Sequence, residues 1–256
     1  MALDVTILGS GVTAPNQRRA EPGHHVAIDG ASILFDGGSG TLHRMVSAGI
    51  DPFELTHVFY THLHTDHVSD MAPLLFSLRN TPGRHRARDL VLTGPVDFRD
   101  YHDTLRRLSG GGRWWDTPEY DVVVRETRDR AFLEGAFSIR SLPMNHMEGR
   151  GVGYRLEDAS GRVFAFSGDT GPCDEIAELG RKADLLLLEC SFPDTEPRDG
   201  HLTPSRCARI ARAAEPEHLV LVHMYPSCEA HDLAAEVGRV WGGRVTVAQD
   251  GARFRA

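Results

Sequence analysis

The chain opens on an alternation of strand type, Leu3-Asp4-Val5-Thr6-Ile7-Leu8. It runs into Gly9-Ser10-Gly11-Val12-Thr13-Ala14-Pro15, whose composition predicts a tight turn. Strand-like runs over 24–29 and 31–36 flank Gly30 and predict a hairpin. Asp36-Gly37-Gly38-Ser39-Gly40 then leads to a helix with Leu42, Met45 and Val46 on one face. The apolar run Val58-Phe59-Tyr60 reads as a strand, and Met71, Leu74, Leu75 and Leu78 predict an amphipathic helix over 69–79. Leu90-Val91-Leu92 is a short strand, followed by a helix to about residue 108. Strands are expected at 121–125, 136–143, 151–157 and 162–167, and a helix at 174–181. The run over 183–189, with four consecutive leucines, predicts a strand buried on both faces. Thr203 suits an N-cap with Pro204 at the first helical position, and Cys207, Ile210, Ala211 and Ala214 form the helix stripe. A buried strand over 218–222, a helix carrying Leu233, Val237, Val240 and Trp241, and strands near 244–248 and 252–255 close the chain. The order is strands first, then strand–helix alternation, in two halves: an α/β (α+β) chain.

Two segments stay open at this level. The basic loop over 80–88 is either solvated or an anion-attracting rim. In Gly110-Gly111-Gly112-Arg113-Trp114-Trp115, either one Trp packs while the other caps a neighbour, or the pair lies on a flap over a pocket.

Composition narrows the classes. The 256 residues suit one domain over 1–256 with a substantial core. Twenty-eight Lys and Arg against 36 Asp and Glu give a formal charge of −8, without the basic footprint of a phosphate-backbone binder. Four scattered cysteines (173, 190, 207, 228) form neither a disulfide framework nor a zinc ribbon. No signal-type or spanning apolar run is visible, so a cytoplasmic protein without membrane contact is expected.

The chemistry concentrates in Thr61-His62-Leu63-His64-Thr65-Asp66-His67. Imidazole nitrogen and carboxylate oxygen are preferred ligands of zinc, manganese and iron. In extended backbone His62 and His64 point to one side, while Asp66 and His67 follow a turn and address a second position. His146, Asp169 and His223 each follow an apolar strand. Taken singly, each reads first as a satisfied polar residue at a strand end. Together with the first cluster they supply the side chains that a two-metal centre needs.

At that point the chain resembles the metallo-β-lactamase superfamily. The motifs over 35–38 (FDGG), 167–170 (SGDT), 183–189 (ADLLLLE) and 200–203 (GHLT) resemble its ribonuclease Z-like phosphodiesterases. The resemblance implies an αββα sandwich with two divalent metal ions at one edge, zinc first, manganese or iron as alternatives. It places one ion among His62, His64 and His146 and the other among Asp66, His67 and His223, with Asp169 bridging. Asp66 and His201 are the implied catalytic residues, His201 assisting the leaving group. Asp36 and Glu189 are candidates to orient imidazoles, or else strand-end residues bonded to backbone. The long arm that grips transfer RNA in ribonuclease Z would lie between His146 and Asp169, and is missing here. A small phosphodiester is therefore expected, with transfer RNA disfavoured and a homodimer suggested by analogy. A carboxylic ester, lactone or thioester on the same metals, and a non-catalytic metal-binding module, are the competing readings. Arg or Lys side chains near the metals would favour the phosphodiester; an apolar slot roofed by Trp114 and Trp115 would favour the ester or lactone.

Overall fold

In the computed structural model, which describes residues 3–117 and 119–255, the apolar runs form strands largely in the order read from the sequence. The first half holds β1 (Asp4–Gly9), β2 (Gly23–Ile28), β3 (Ala31–Phe35), β4 (His57–Phe59), β5 (Leu90–Gly94) and β6 (Val122–Glu126). Its helices are α1 (Thr41–Ser47), α2 (Thr65–Val68), α3 (Met71–Asn80) and α4 (Phe98–Leu108). The second half holds β7 (Arg130–Glu134), β8 (Phe137–Pro143), β9 (Val152–Asp158), β10 (Val163–Phe166), β11 (Leu185–Glu189), β12 (His218–Val222), β13 (Arg244–Val247) and β14 (Arg253–Arg255). Between these strands run α5 (Asp174–Leu179), α6 (Pro204–Ala214) and α7 (Leu233–Gly238).

The strands make two seven-stranded sheets, ordered β14-β1-β2-β3-β4-β5-β6 and β13-β12-β11-β10-β9-β8-β7. Each joins a group of antiparallel pairs to a parallel run, β3 to β6 in the first and β10 to β13 in the second. Side-chain alternation then dictates the layers. Ile33 and Phe35 enter the core between the sheets, where they meet Tyr154, Phe164 and Phe166, while Leu34 turns outward to Met71 and Leu74. Leu185 and Leu187 likewise point inward, and Leu186 and Leu188 pack under Ile176, Leu179 and Ala211. Both faces of β11 are buried, as its leucine run predicts. The result is the expected αββα sandwich. Among the described residues no helix is long and apolar enough to cross a membrane.

Because β3 and β4 run parallel, as do β10, β11 and β12, their C-terminal ends share one edge of the sandwich. Asp36, the segment over 60–67, Asp169, Glu189 and His223 all lie at or just beyond these ends. The fold thereby gathers residues separated by more than 180 positions.

Several local expectations are corrected. β7 was not foreseen: it is an edge strand whose Leu133 is 80% exposed, so it carries no buried alternation. Val46 is exposed and only Met45 of its stripe is fully buried. Thr203 takes the N-cap backbone position without capping through its side chain. Asp194 does that work, its Oδ1 accepting from the Ser205 N–H at 3.1 Å. Trp115 packs in the core beneath α3 and α4, and exposed Trp114 stacks on Phe76 at 6.4 Å, so the first reading of the pair holds. The basic loop is exposed along most of its length, as its solvated reading expects, and is pinned to the body at two points. Buried Arg86 donates to the carbonyls of Phe53 and Asp89, and Arg84 pairs with Asp51 over the Phe53 ring.

The β2 histidines set an acid limit on stability. Burial pushes His25 down to about 4 and His24, edge-on to Phe166, down to about 3. Both pKa values lie below the unfolded reference of about 6.5, so the unfolded chain binds more protons between these limits. Stability is therefore full above pH 6.5 and falls as pH drops toward 4. His25 alone accounts for roughly 2–3 kcal/mol over that interval. His25→Gln, which can retain the 2.8 Å bond to Ser32, should flatten the profile by about one proton. Urea titrations at pH 7, 5.5 and 4.5 measure this, and an unchanged slope would refute it.

Candidate metal centre

Asp36 is the first anchor. It sits at the end of β3 with φ 56°, an uncommon conformation for a non-glycine residue and a mark of local constraint. Its Oδ1 accepts from the Thr61 N–H at 2.8 Å, and Oδ2 accepts from the Thr61 hydroxyl and from His67 Nδ1, each at 2.8 Å. One fully buried carboxylate thus ties the segment after β4 to the sheet and leaves His67 Nε2 directed at the centre. The Thr61 hydroxyl also contacts His62 Nδ1 at 3.1 Å.

The side chains converge as two main sets, and Asp169, His201 and His223 form a third, overlapping group. His62, His64, His146 and Asp169 form one, and Asp66, His67 and His223 the other; within each, the ligand-type atoms lie within 4.8 Å of one another. In the first set His62 Nε2 is 3.0 Å from His64 Nδ1, and His146 Nε2 is 3.3 Å from that atom. Asp169 Oδ2 lies 3.7 Å from His62 Nε2 and 3.9 Å from His146 Nε2. Asp169 turns its other oxygen to the second set: Oδ1 is 3.4 Å from His67 Nε2 and 3.2 Å from His223 Nε2. His223 Nε2 is also 3.3 Å from His67 Nε2 and 3.7 Å from Asp66 Oδ2.

These separations are the edges of coordination polyhedra. A tetrahedral cation about 2.0–2.1 Å from nitrogen and oxygen donors needs them about 3.3–3.4 Å apart. Imidazole nitrogens facing each other at 3.0–3.3 Å cannot all be protonated, whereas a shared cation reconciles them. Asp169 Oδ1 is buried without a hydrogen-bond partner, an arrangement that costs free energy in a protein lacking a cation there. The residues fit divalent cations, with the Asp169 carboxylate facing both donor sets.

Electrostatics agree. Burial would raise the Asp169 carboxyl, but the charges of His223, His67 and His62 hold it well below the carboxylate range. Asp66 is drawn down to about 2, the His223 bond and the His67 and His223 charges outweighing burial. Burial lowers His62, His64 and His146, which favours the neutral imidazoles that metals take. His67 is raised: burial lowers it, but Asp169 and Asp36 prevail, so cation binding at His67 displaces a proton.

The second sheet supplies the other anchor. Glu189, fully buried at the end of β11, accepts four hydrogen bonds. Oε1 receives the Thr170 N–H at 2.7 Å and His201 Nδ1 at 2.9 Å. Oε2 receives the Ser191 hydroxyl at 2.6 Å and the Leu202 N–H at 3.0 Å. Ser191 Oγ is in turn 3.0 Å from His223 Nδ1, so Glu189 orients His201 directly and His223 through the hydroxyl. His223 holds φ 59°. His146 Nδ1 donates to the Gly200 carbonyl at 3.0 Å, joining the GHLT turn to the first set. A free Cys207 thiol donates to the Glu189 carbonyl at 3.1 Å. Burial lowers His201, but its bond to Glu189 and the charges of Glu189 and Asp169 raise it overall.

Every candidate ligand reaches the centre, and His201 stands beside it, its ring 5.1 Å from His146 and 6.0 Å from His223. Thr61, Ser191 and the Gly200 carbonyl were not foreseen: a hydroxyl or backbone carbonyl carries no distinguishing sequence signal. Nor was the Thr13 N–H, which donates to Asp66 Oδ2 at 3.1 Å and brings the first loop onto the centre.

Comparison with known proteins shows the family to which this fold belongs. A family model described as the beta-lactamase superfamily domain matches residues 31–224. A ribonuclease Z of Brevibacillus brevis is 32% identical, with 89% of this chain and 87% of the relative covered. That match runs over 278 positions, more than this chain's 256 residues, so the relative contains segments without a counterpart here. Among solved structures, the metallo-beta-lactamase fold protein YhfI from Bacillus subtilis superposes with TM-score 0.84 at 23% identity, covering 100% of both chains. The short form of human tRNase Z gives 0.77 at 23% identity, covering 98% of both. The chain is a metal-dependent hydrolase that belongs to the metallo-β-lactamase superfamily and, within it, to the ribonuclease Z-like enzymes.

Proposed function

We propose that this chain is a single-domain phosphodiesterase working with two zinc ions on a small substrate. The observation that carries the reading is the division of Asp169 between two donor sets, Oδ2 toward His62 and His146, Oδ1 toward His67 and His223. With three imidazoles in one set and two beside a carboxylate in the other, the donors suit zinc. When bound, such ions supply hydroxide near neutral pH and polarise the phosphoryl oxygen.

The remaining work belongs to the chain. Asp36 and Glu189 fix the directions of His67, His201 and His223, so little reorganisation accompanies reaction. Glu189 accepts a hydrogen bond from His201 Nδ1–H and leaves Nε2–H to donate to the departing oxygen. The raised pKa of His201 keeps that proton available near neutrality. Substrate size is inferred from the interval between His146 and Asp169, which is filled by a turn at Met147–Gly149 and by β9 and β10, without an extended arm. The tryptophan pair that would roof an apolar ester slot lies instead against Phe76 and His102.

The test is hydrolysis by zinc-loaded protein of bis(p-nitrophenyl) phosphate, a p-nitrophenyl carboxylic ester, a lactone and a transfer-RNA precursor, with His64→Ala alongside. We expect the diester to be the best small substrate and the variant to lose about 10²-fold or more. Equal turnover by the variant would remove the metal mechanism. Turnover of the ester or lactone alone would overturn the bond type, and preference for the RNA precursor the substrate size.

A further inference from the structure

Beside His201 stand two rings that the chemistry above does not use. Phe192 and Tyr225 stack with centroids 4.5 Å apart and planes 20° from parallel. The Phe192 centroid lies 5.6 Å from the His201 ring, and Tyr225 lies 6.2 Å from His201 and 6.3 Å from His223. Both rings are part-exposed. They are also rigidly carried: the Phe192 N–H donates to the Leu202 carbonyl at 3.3 Å and the Tyr225 N–H to the Ser191 carbonyl at 3.2 Å. The backbone that aims His201 and His223 therefore aims the aromatic pair as well. The Arg198 guanidinium, on an exposed loop residue, lies 5.9 Å from the Phe192 centroid and adds a cation to the same wall.

We propose that Phe192, Tyr225 and Arg198 form a subsite for the base of a nucleoside leaving group. The inference rests on the role given to His201. A histidine that protonates the departing oxygen must come within about 2.6–3.2 Å of it. The group bonded to that oxygen is thereby held next to the two rings. An alkyl leaving group would leave this part-exposed aromatic surface in water. A sugar-linked base presents a flat π-face that covers it, and stacking of this kind tolerates any base. Arg198 complements it by cation–π contact.

The test is calorimetric binding to the full, zinc-loaded chain of thymidine 5′-monophosphate and of 2-deoxyribose 5-phosphate, which lacks the base. Hydrolysis of bis(p-nitrophenyl) phosphate is followed in parallel. The parent should prefer the nucleotide by about tenfold. Phe192→Leu and Tyr225→Leu should each erase most of that preference with little effect on the sugar phosphate. Tyr225→Phe, which keeps the ring, should retain it. Equal parental affinities would overturn the subsite even where the diester is hydrolysed. Loss of affinity for both ligands alike in both leucine variants would also overturn it and leave the pair a support for His201. A base preference that depends on Phe192, found without diester hydrolysis, would uphold the subsite and overturn the phosphodiesterase reading.

Discussion

Asp169→Asn should reduce hydrolysis by about 10³-fold or more, with bound zinc falling from two equivalents per chain to one or fewer. The substitution preserves shape and removes charge. Asp169 presents one oxygen to each donor set, at 3.7–3.9 Å from His62 and His146 and 3.2–3.4 Å from His223 and His67. Asparagine retains one such oxygen and offers an amide N–H₂ in place of the other. A cation on that side then meets a donor and loses the negative charge opposing it. The remaining site would keep at most the affinity of its own histidines. Metal analysis after dialysis, with activity measured on the same sample, checks the prediction. Two zinc equivalents with parental turnover would exclude Asp169 as the bridge.

Glu189→Gln should have the second largest effect, and on stability as well as activity. Four donors converge on this carboxylate, two per oxygen, at 2.6–3.0 Å. Glutamine has two acceptor lone pairs and turns its own two N–H donors toward the other partners. Two donors at a fully buried position then lack acceptors, which costs about 2–5 kcal/mol. At roughly 2–4 °C per kcal/mol for a chain of this length, melting should fall by roughly 4–20 °C. His201 loses the bond that fixes its Nδ1 proton, and His223 loses the hydroxyl relay through Ser191. Turnover should drop at a temperature where the variant is still folded, and its pH profile should change as well, since Glu189 contributes to raising His201. A variant that melts with the parent and keeps its pH profile would show that Glu189 is only a strand-end acceptor.

Asp36 and Glu189 were both visible in the sequence as strand-end acids, and neither role was decided there. Asp36 follows an apolar strand as many aspartates do. What distinguishes it is the pair of bonds to Thr61, 25 positions away, and the 2.8 Å contact to His67, 31 positions away. The aromatic pair was less legible still. Phe192 and Tyr225 look like ordinary loop residues, and the more conspicuous Trp114-Trp115 proved to be packing, one ring in the core and one on Phe76. Composition drew attention to the wrong aromatics because stacking depends on which loops meet, and loops meet at sheet edges.

Elements with strong periodicity, and the types of the ligand side chains, were legible along the chain. Leu185 to Leu188 had to lie in a two-sided strand, because four consecutive leucines suit only burial on both faces. The run over 62–67 had to be chemistry, because four ligand-type side chains in six residues answer no packing need. Tertiary structure alone decided how the two halves meet. Parallel pairing gathers the ends of β3 and β4 at one edge of the first sheet and those of β10, β11 and β12 at one edge of the second. The packed inner faces bring these edges together, so that His62 and His223, 161 positions apart, each lie within 4 Å of Asp169. Side-chain periodicity is local and can be read along the chain. Convergence depends on long-range strand pairing and sheet packing, which no local pattern carries.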